Sequence, residues 1–495
     1  MSREETGAGI LRGVGLNFMT QNDMDTVHHA ASRLLHSTGI LVGSKEAVDY
    51  LQGAGCSVTK SSKDDEWRVY IPDFLVSDSI AAAPKSQVYY ARDPKQNLYQ
   101  LPGRVAFGLF SEPVSVIDPI TRQYRDSTKK DNEDLYRLID ALPGVGMATK
   151  GICPCDMPPE SQAVHSYHAM IMNTAKHLSG GVNTRAKALC ILDMLAEVAG
   201  GHDELKRKPL ATSSCCPISP LTFPKELCEV MVTLAEHGGI NINVMVMDLA
   251  GGTGPVTLAG TIVQTIAEHL AGIVLAQSVR RGANVALGSC STIMDLKKGL
   301  ASVGCPEWAL VGAAISQMGR YYGLPTRIGG GVSDSKAPDA QSGYEFATNA
   351  LTHALAGATQ IFGLGCLDNG LAVDFAKVIM DHDCIQNIFK ILDGVNFNNE
   401  GLALELIEEV GPNNSFLTTR HTLKRARIHS QPLIFDRRTR NAWLEDPKRD
   451  LVERAYAQAL DIIENHKPMP LPEKTKENID RIVAEFDQKI LRDSK

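Results

Sequence analysis

The chain has 495 residues, 43% of them hydrophobic and 22% charged, with a formal net charge of -7. This composition excludes a disordered chain, and the length admits one large domain with extensions or two to three ordinary ones. The excess of acids argues against non-specific binding to nucleic acid or anionic lipid, which need a cationic face, so proteins and small molecules are the expected partners.

The opening residues carry acids and glycines and lack the apolar core of a signal peptide. No uninterrupted apolar run reaches the roughly 18–20 residues that cross a bilayer. The expectation is a cytoplasmic protein without a membrane segment. Its eleven cysteines are spread thinly along the chain, as reduced thiols are.

Residues 23–38 repeat apolar positions at helical spacing, with Met24, Val27, Ala31, Leu34 and Leu35 on one face, and 46–52 predict a second short helix. Residues 67–71 and 87–90 alternate like the strands of a small sheet. Together these predict an N-terminal helical and small-sheet cap over residues 1–103.

From residue 104 a unit recurs eight times: a short apolar run, a cluster of small or polar residues, then an amphipathic helix. The predicted strands are 105–110, 146–152, 177–182, 210–214, 242–247, 284–288, 326–330 and 360–365. Helices are predicted at 131–142, 161–174, 186–198, 225–237 and 258–280, and residues 111–128 read as a hairpin excursion. Strands alternating with helices imply a parallel sheet, and eight units close into a (β/α)8 TIM barrel spanning residues 104–391. An open doubly wound sheet is the rival. Residues 392–495 are more charged and predict a helical C-terminal extension with helices at 403–409, 451–466 and 477–491, the Pro-rich stretch at 467–474 being a surface linker.

Ligands of such barrels meet the C-terminal ends of the strands. Those ends carry the acids Glu112, Asp156, Asp248, Asp334 and Asp368 and few bases, which suits a cationic substrate, although any single acid reads better as a helix cap. Phe107, Phe110, Tyr344 and Phe362 could form an aromatic cage for a quaternary ammonium, or simply pack in the core. Cys153 and Cys155, with Cys215 and Cys216, invite a zinc reading, but no CxxC pair and no neighbouring histidine support it. The run IGGGVSDSKAPDAQSGYE at 328–345 places three glycines at a strand-to-helix junction. Either they bare the backbone to a ligand, or they serve turn geometry alone.

That run, CCPISPL at 215–221, VIMDHD at 378–383, and the early stretches LLHSTGILV and YLQGAGCSV resemble the trimethylamine methyltransferase family over nearly the whole chain. The resemblance implies a (β/α)8 barrel that passes a methyl group from a methylamine to the cobalt of a cobalamin-type corrinoid carried by a partner protein, with no metal bound directly and a homo-oligomeric state. Archaeal trimethylamine members carry pyrrolysine, placed near the end of the seventh strand. This chain has only standard residues, so the resemblance points to the members lacking pyrrolysine, which demethylate quaternary amines such as glycine betaine. From their positions near the strand ends, not from a family motif, Phe107, Phe110, Glu112, Tyr344 and Phe362 are expected around the ammonium, and His353, Asn183 and the backbone of Gly330 and Gly331 around a carboxylate. A zinc-thiolate methyltransferase and a non-catalytic betaine-binding barrel are the alternatives.

Overall fold

The computed structural model describes residues 8–10, 15–61, 63, 65–101 and 103–493. Eight parallel strands form the centre: β1 (Arg104–Leu109), β2 (Val145–Thr149), β3 (His177–Ser179), β4 (Ala211–Cys215), β5 (Ile240–Val246), β6 (Val285–Ser289), β7 (Thr326–Gly329) and β8 (Gln360–Leu364). They pair in chain order, and β8 returns to β1 with Gln360 opposite Ala106 and Ile361 opposite Phe107. That pairing closes the sheet and rules out the open doubly wound alternative.

Each strand is followed by an outer helix: α1 (Lys129–Ala141), α2 (Gln162–Asn173), α3 (Arg185–Ala199), α4 (Lys225–His237), α5 (Leu258–Val279), α6 (Pro306–Tyr322), α7 (Ala340–Leu355) and α8 (Phe375–Asp393). Local signals set their starts. Thr128 and Asp131 form a reciprocal capping box at α1, and Asp374 accepts the Lys377 amide at α8. The hairpin expected before α1 is present as Ser115–Ile117 paired antiparallel with Tyr124–Asp126.

All eight predicted strands are found. Those expected at 146–152 and 177–182 stop three residues early, at Thr149 and Ser179, because the chain then turns into the barrel mouth. Helix α5 is 22 residues long and apolar enough in length and composition to cross a bilayer. Its hydrophobicity has another use, since β5, α4 and the N-terminal helices Gln21–Ser37, Lys45–Gly53 and Asp73–Ala82 pack around it.

The two N-terminal strand predictions belong to different sheets, not one. Trp67–Tyr70 pairs with Ser57–Lys60 and Ile40–Val42, and Ile40–Val42 also pairs with Thr222–Phe223 from the loop after β4. Gln87–Tyr89 instead forms a hairpin with Leu98–Gln100 that closes the N-terminal end of the barrel. There the Tyr89 ring lies 4.7 Å from His177, and Gln87 donates to the Val285 carbonyl at 2.8 Å. With that end plugged, the opposite mouth is the open side of the barrel.

Behind the barrel wall, Leu451–Asn465 packs on α8 and α1, and Glu473–Asp493 packs on α3 and α2. These match the helices expected at 451–466 and 477–491, the second beginning four residues earlier than predicted.

Candidate active site

A cavity of about 570 Å3 opens at the C-terminal mouth. Its wall is assembled strand by strand: Phe110 follows β1, Lys150 follows β2, Asn183 lies beyond β3, Cys216 follows β4, Met245 belongs to β5, Cys290 follows β6 and Phe362 belongs to β8. Phe110 and Phe362 stack nearly parallel, 13° apart with centroids separated by 5.9 Å. Beneath Phe362, inside the barrel, the Arg327 guanidinium sits 4.7 Å from the ring centre. Arg327 is fully enclosed and meets no carboxylate among the described residues; it donates to Ser179 Oγ at 2.6 Å and Thr149 Oγ1 at 3.2 Å. Behind the Phe362 wall of the cavity there is therefore a buried positive charge with no carboxylate partner among the described residues.

Two lysines face the same space. Lys150 forms an ion pair with Glu112 and donates to the Gly181 carbonyl at 3.2 Å. Burial draws its ammonium down to about 8. Lys187 donates to Asn183 Oδ1 at 3.0 Å and has no carboxylate at ion-pair distance among the described residues; burial lowers its affinity for a proton too. Glu112 holds a left-handed backbone, φ 67°, which is uncommon for a non-glycine residue. Its amide donates to the Lys150 carbonyl at 3.0 Å, which fixes the carboxylate beside the ammonium.

The cavity thiols are held neutral. Burial pushes Cys153 and Cys216 up to about 11 and Cys290 up to about 12. A thiol held neutral in this way is not an activated nucleophile at neutral pH. Among the described residues no group of three or more His, Cys, Asp or Glu side chains is arranged to hold a metal ion, so the zinc reading lacks a ligand set there.

The acidic mouth expected from sequence is largely structural. Asp156 accepts the Lys129 amide at the start of α1, and Asp248 is buried against Gln264 and Thr265. Asp334 ties Ser302, the Val303 amide and Asn369 together, and Asp368 pairs with Lys336 at 3.5 Å. Of the five mouth acids, Glu112 alone lines the cavity, where Glu226 from α4 joins it.

Four of the nine residues assigned to the site from sequence, Phe110, Glu112, Asn183 and Phe362, converge on this cavity. Five lie outside it. Phe107 points outward from β1, is 0% exposed and packs on Phe389 of α8, because successive strand residues face opposite sides and Phe107 shares parity with Leu109, not with Phe110. Tyr344 is 75% exposed on the outside of α7, and His353 is 0% exposed against Trp308. The amides of Gly330 and Gly331 both donate to the Phe362 carbonyl at 3.0 Å, so neither is free to grip a carboxylate. The glycines serve close packing: a Cβ on Gly329 would lie 2.5 Å from Trp308, and one on Gly331 would lie 2.7 Å from the Gly363 carbonyl carbon.

Sequence reasoning missed Lys150 and Lys187. Lys150 was counted inside an overlong strand. Lys187 did leave a signal, since a lysine in the first turn of a helix opposes the helix dipole and calls for a local reason.

The loop 215–221 is set from behind by Glu268 of α5, which accepts Ser219 Oγ at 2.9 Å and the Leu221 amide at 2.8 Å. Glu268 is 0% exposed, and burial, with Asp248 nearby, raises its affinity for a proton. A carboxyl group raised in the folded state binds more protons folded than unfolded, so stability is full at low pH and declines as pH climbs above the ordinary carboxyl value of about 4.5. Thermal melts should show that decline, with a slope of up to about 1.4 kcal/mol per pH unit. Glu268→Gln should flatten it; an unchanged slope in that variant would contradict the assignment.

A family model described as trimethylamine methyltransferase (MTTB) matches residues 7–490. The chain is 36% identical over 486 residues to the trimethylamine methyltransferase MttB of Desulfitobacterium hafniense strain DSM 10664 / DCB-2, covering 98% of this chain and 97% of the relative. It is 34% identical over 487 residues to the trimethylamine methyltransferase MttB of Methanosarcina barkeri, covering 97% of each. It is 29% identical over 477 residues to the glycine betaine methyltransferase of Desulfitobacterium hafniense strain Y51, covering 96% of this chain and 98% of the relative. Among solved structures, the Methanosarcina barkeri monomethylamine methyltransferase (MtmB) aligns with a TM-score of 0.49 at 11% identity, over 93% of this chain and 96% of the other.

Proposed function

Because this chain belongs to the trimethylamine methyltransferase family and is a methyltransferase, we propose that its methyl donor is a quaternary amine that also carries a carboxylate, of the glycine betaine class. The acceptor in this reading is the Co(I) of a corrinoid borne by a partner protein, which reaches the donor through the open mouth.

One observation carries the reading: two sheltered lysines, Lys150 and Lys187, share a cavity with the stacked Phe110 and Phe362. A simple methylammonium ion has a single positive charge and would set it against two ammonium groups. A betaine resolves the conflict, its trimethylammonium lying against aromatic faces and Glu112 while its carboxylate meets the lysines and Asn183.

The chemistry calls on neither a nucleophilic side chain nor a proton donor. A quaternary ammonium departs as a neutral tertiary amine, so nothing has to be protonated and positioning is the main requirement. Positive charge leaves the nitrogen as the methyl departs. Lys150, Lys187 and Arg327 disfavour that charge in the bound donor and lose this conflict in the transition state, which is differential binding in the productive direction.

The mouth also suits a protein visitor. Ile218, Met247, Val256, Leu296 and Leu300, on the loops after β4, β5 and β6, are 46–67% exposed and form an apolar rim.

Calorimetric titration tests the donor class. Glycine betaine should bind at least about 10-fold more tightly than tetramethylammonium, as a charge-assisted hydrogen bond of about 1.5–3 kcal/mol requires; equal affinity would sink the carboxylate assignment. Phe110→Ala should weaken both ligands by about 10-fold, since a sheltered cation over a ring gains up to about 2 kcal/mol.

A further inference from the structure

The N-terminal ends of β4, β5 and β6 enclose a second cavity, of about 170 Å3, at the end of the barrel opposite the candidate active site. The turns that lead into these strands make its wall: Lys206 and Pro209 before β4, Gly239 before β5, and Arg280, Gly282 and Asn284 before β6. Among the described residues no acid lines it. Two basic runs meet at this corner of an acidic chain, at 206–208 and 280–281. Arg207 pairs with Glu204 and Arg281 with Asp78. Lys206 and Arg280, the two that face the cavity, have no carboxylate at ion-pair distance among the described residues.

The two cations are held close together. A Cβ on Gly238 would stand 3.0 Å from Lys206 Cγ and 3.5 Å from Arg280 Nη2, so both side chains close on one spot. Arg280 is fixed there by its Nε, which donates to the Ala235 carbonyl in the last turn of α4, and its Nη groups have no acceptor among the described residues. Burial lowers the affinity of its guanidinium for a proton. Asn284 adds a neutral donor. One N–H of its amide goes to Asn241 Oδ1 at 2.9 Å, which leaves the other for a ligand. Asn241 donates in turn to Thr212 Oγ1 at 3.4 Å, so this part of the wall is anchored in the barrel interior. Unopposed cations packed side by side repel each other, and a wall of donors without a carboxylate is complementary to an anion.

We propose that this second cavity is an oxyanion site that takes a phosphate group, free or as the end of a phosphomonoester. A tetrahedral dianion meets the Arg280 fork, the Lys206 ammonium and the Asn284 amide together, and it relieves the repulsion between the two cations. Size sets the limit. A water occupies roughly 30 Å3 in the liquid, so the cavity has room for one such oxyanion with a water or two, and the rest of an ester would stay outside. Because the site lies at the closed end of the barrel, a bound phosphate leaves the cavity mouth free. Its direct effect is on stability, since a ligand that binds only the folded chain stabilises it by mass action. The site is independent of which amine the first cavity takes.

Calorimetry and thermal melts of the full chain test it, with inorganic phosphate and glycerol 3-phosphate as the two probes and chloride at matched ionic strength as the control. Phosphate should bind and raise the melting temperature where chloride does not. Binding of phosphate alone would identify the free ion as the ligand, and equal or tighter binding of glycerol 3-phosphate would identify an ester. Lys206 is exposed, so its substitution leaves the fold intact. Lys206→Gln should weaken phosphate by about 10-fold, as loss of one charge-assisted contact requires. Lys206→Glu should abolish binding and raise the melting temperature in phosphate-free buffer, because the new carboxylate gives Arg280 its missing counter-charge. Chloride stabilising as well as phosphate, no binding of either probe, or a Lys206→Glu variant that still binds phosphate or melts below wild type would each overturn the proposal.

Discussion

Replacing Lys150 with Met is expected to lower kcat/KM for glycine betaine by about 100-fold or more, while tetramethylammonium binding stays the same or improves. The Lys150 side chain is 7% exposed and its ammonium faces the cavity beside Glu112. Truncating one member of a desolvated charged contact costs roughly 2–5 kcal/mol, and every 1.4 kcal/mol or so is tenfold in affinity. Glu112 is 47% exposed, so it can turn to water when the lysine is gone. The loss should therefore fall on ligand recognition more than on stability. A pH profile gives an independent check. Burial draws Lys150 down to about 8, so its charge is present below that pH and lost above it. KM for the betaine should rise as pH passes about 8, and Lys150→Arg, which stays charged, should remove the rise. A pH-independent KM in wild type would argue that Lys150 does not meet the carboxylate.

Asp383→Ala is expected to destabilise the protein by about 3–5 kcal/mol, and first of all to free the segment that α8 anchors. Asp383 is 1% exposed and accepts three consecutive amides, from Leu433, Ile434 and Phe435. A hydrogen bond to a charged acceptor contributes roughly 1.5–3 kcal/mol, and an orphaned buried amide adds its own desolvation cost. Ile434 is held in the core beside this clamp, and its carbonyl accepts Arg454 at 2.9 Å. Hydrogen exchange should accelerate first at residues 420–445, and trypsin should cut among their many basic side chains before the barrel opens. Asp383→Asn, which keeps one acceptor oxygen, should fall between. Unchanged exchange in the alanine variant would contradict the anchoring role.

The barrel was legible because strands of a parallel sheet, covered on both faces, read as short continuous apolar runs, and eight of them recur at regular spacing. The individual roles of the mouth residues were harder to read. VIMDHD stands out as a motif, yet its polar side chains are structural: Asp381 pairs with Lys377 and accepts the Gly365 amide, His382 meets the Gly144 amide, and Asp383 clamps residues 433–435. The glycine run at 329–331 likewise marks a close approach of β7 to β8 and not a ligand cradle. Helix-borne residues such as Tyr344 and His353 were misplaced because their direction depends on how α7 is rotated against the barrel, which spacing from a strand end does not fix. Lys150 was hidden by a strand end misjudged by three residues. An error of that size is enough to exchange a wall residue for a binding residue.

The central claim is methyl transfer from a betaine to cobalt, and one reaction tests it most directly. The protein is mixed with reduced corrinoid, either free or on a candidate carrier protein, together with glycine betaine, while the Co(I) absorbance is followed and the amine product is identified by NMR. The account predicts loss of Co(I) with methylated cobalt and dimethylglycine formed in equal amounts, abolished or sharply slowed by Lys150→Met. No methyl transfer from any carboxylate-bearing quaternary amine, under conditions where methyl iodide alkylates the same Co(I) preparation, would contradict it and leave a barrel that binds such amines without turning them over.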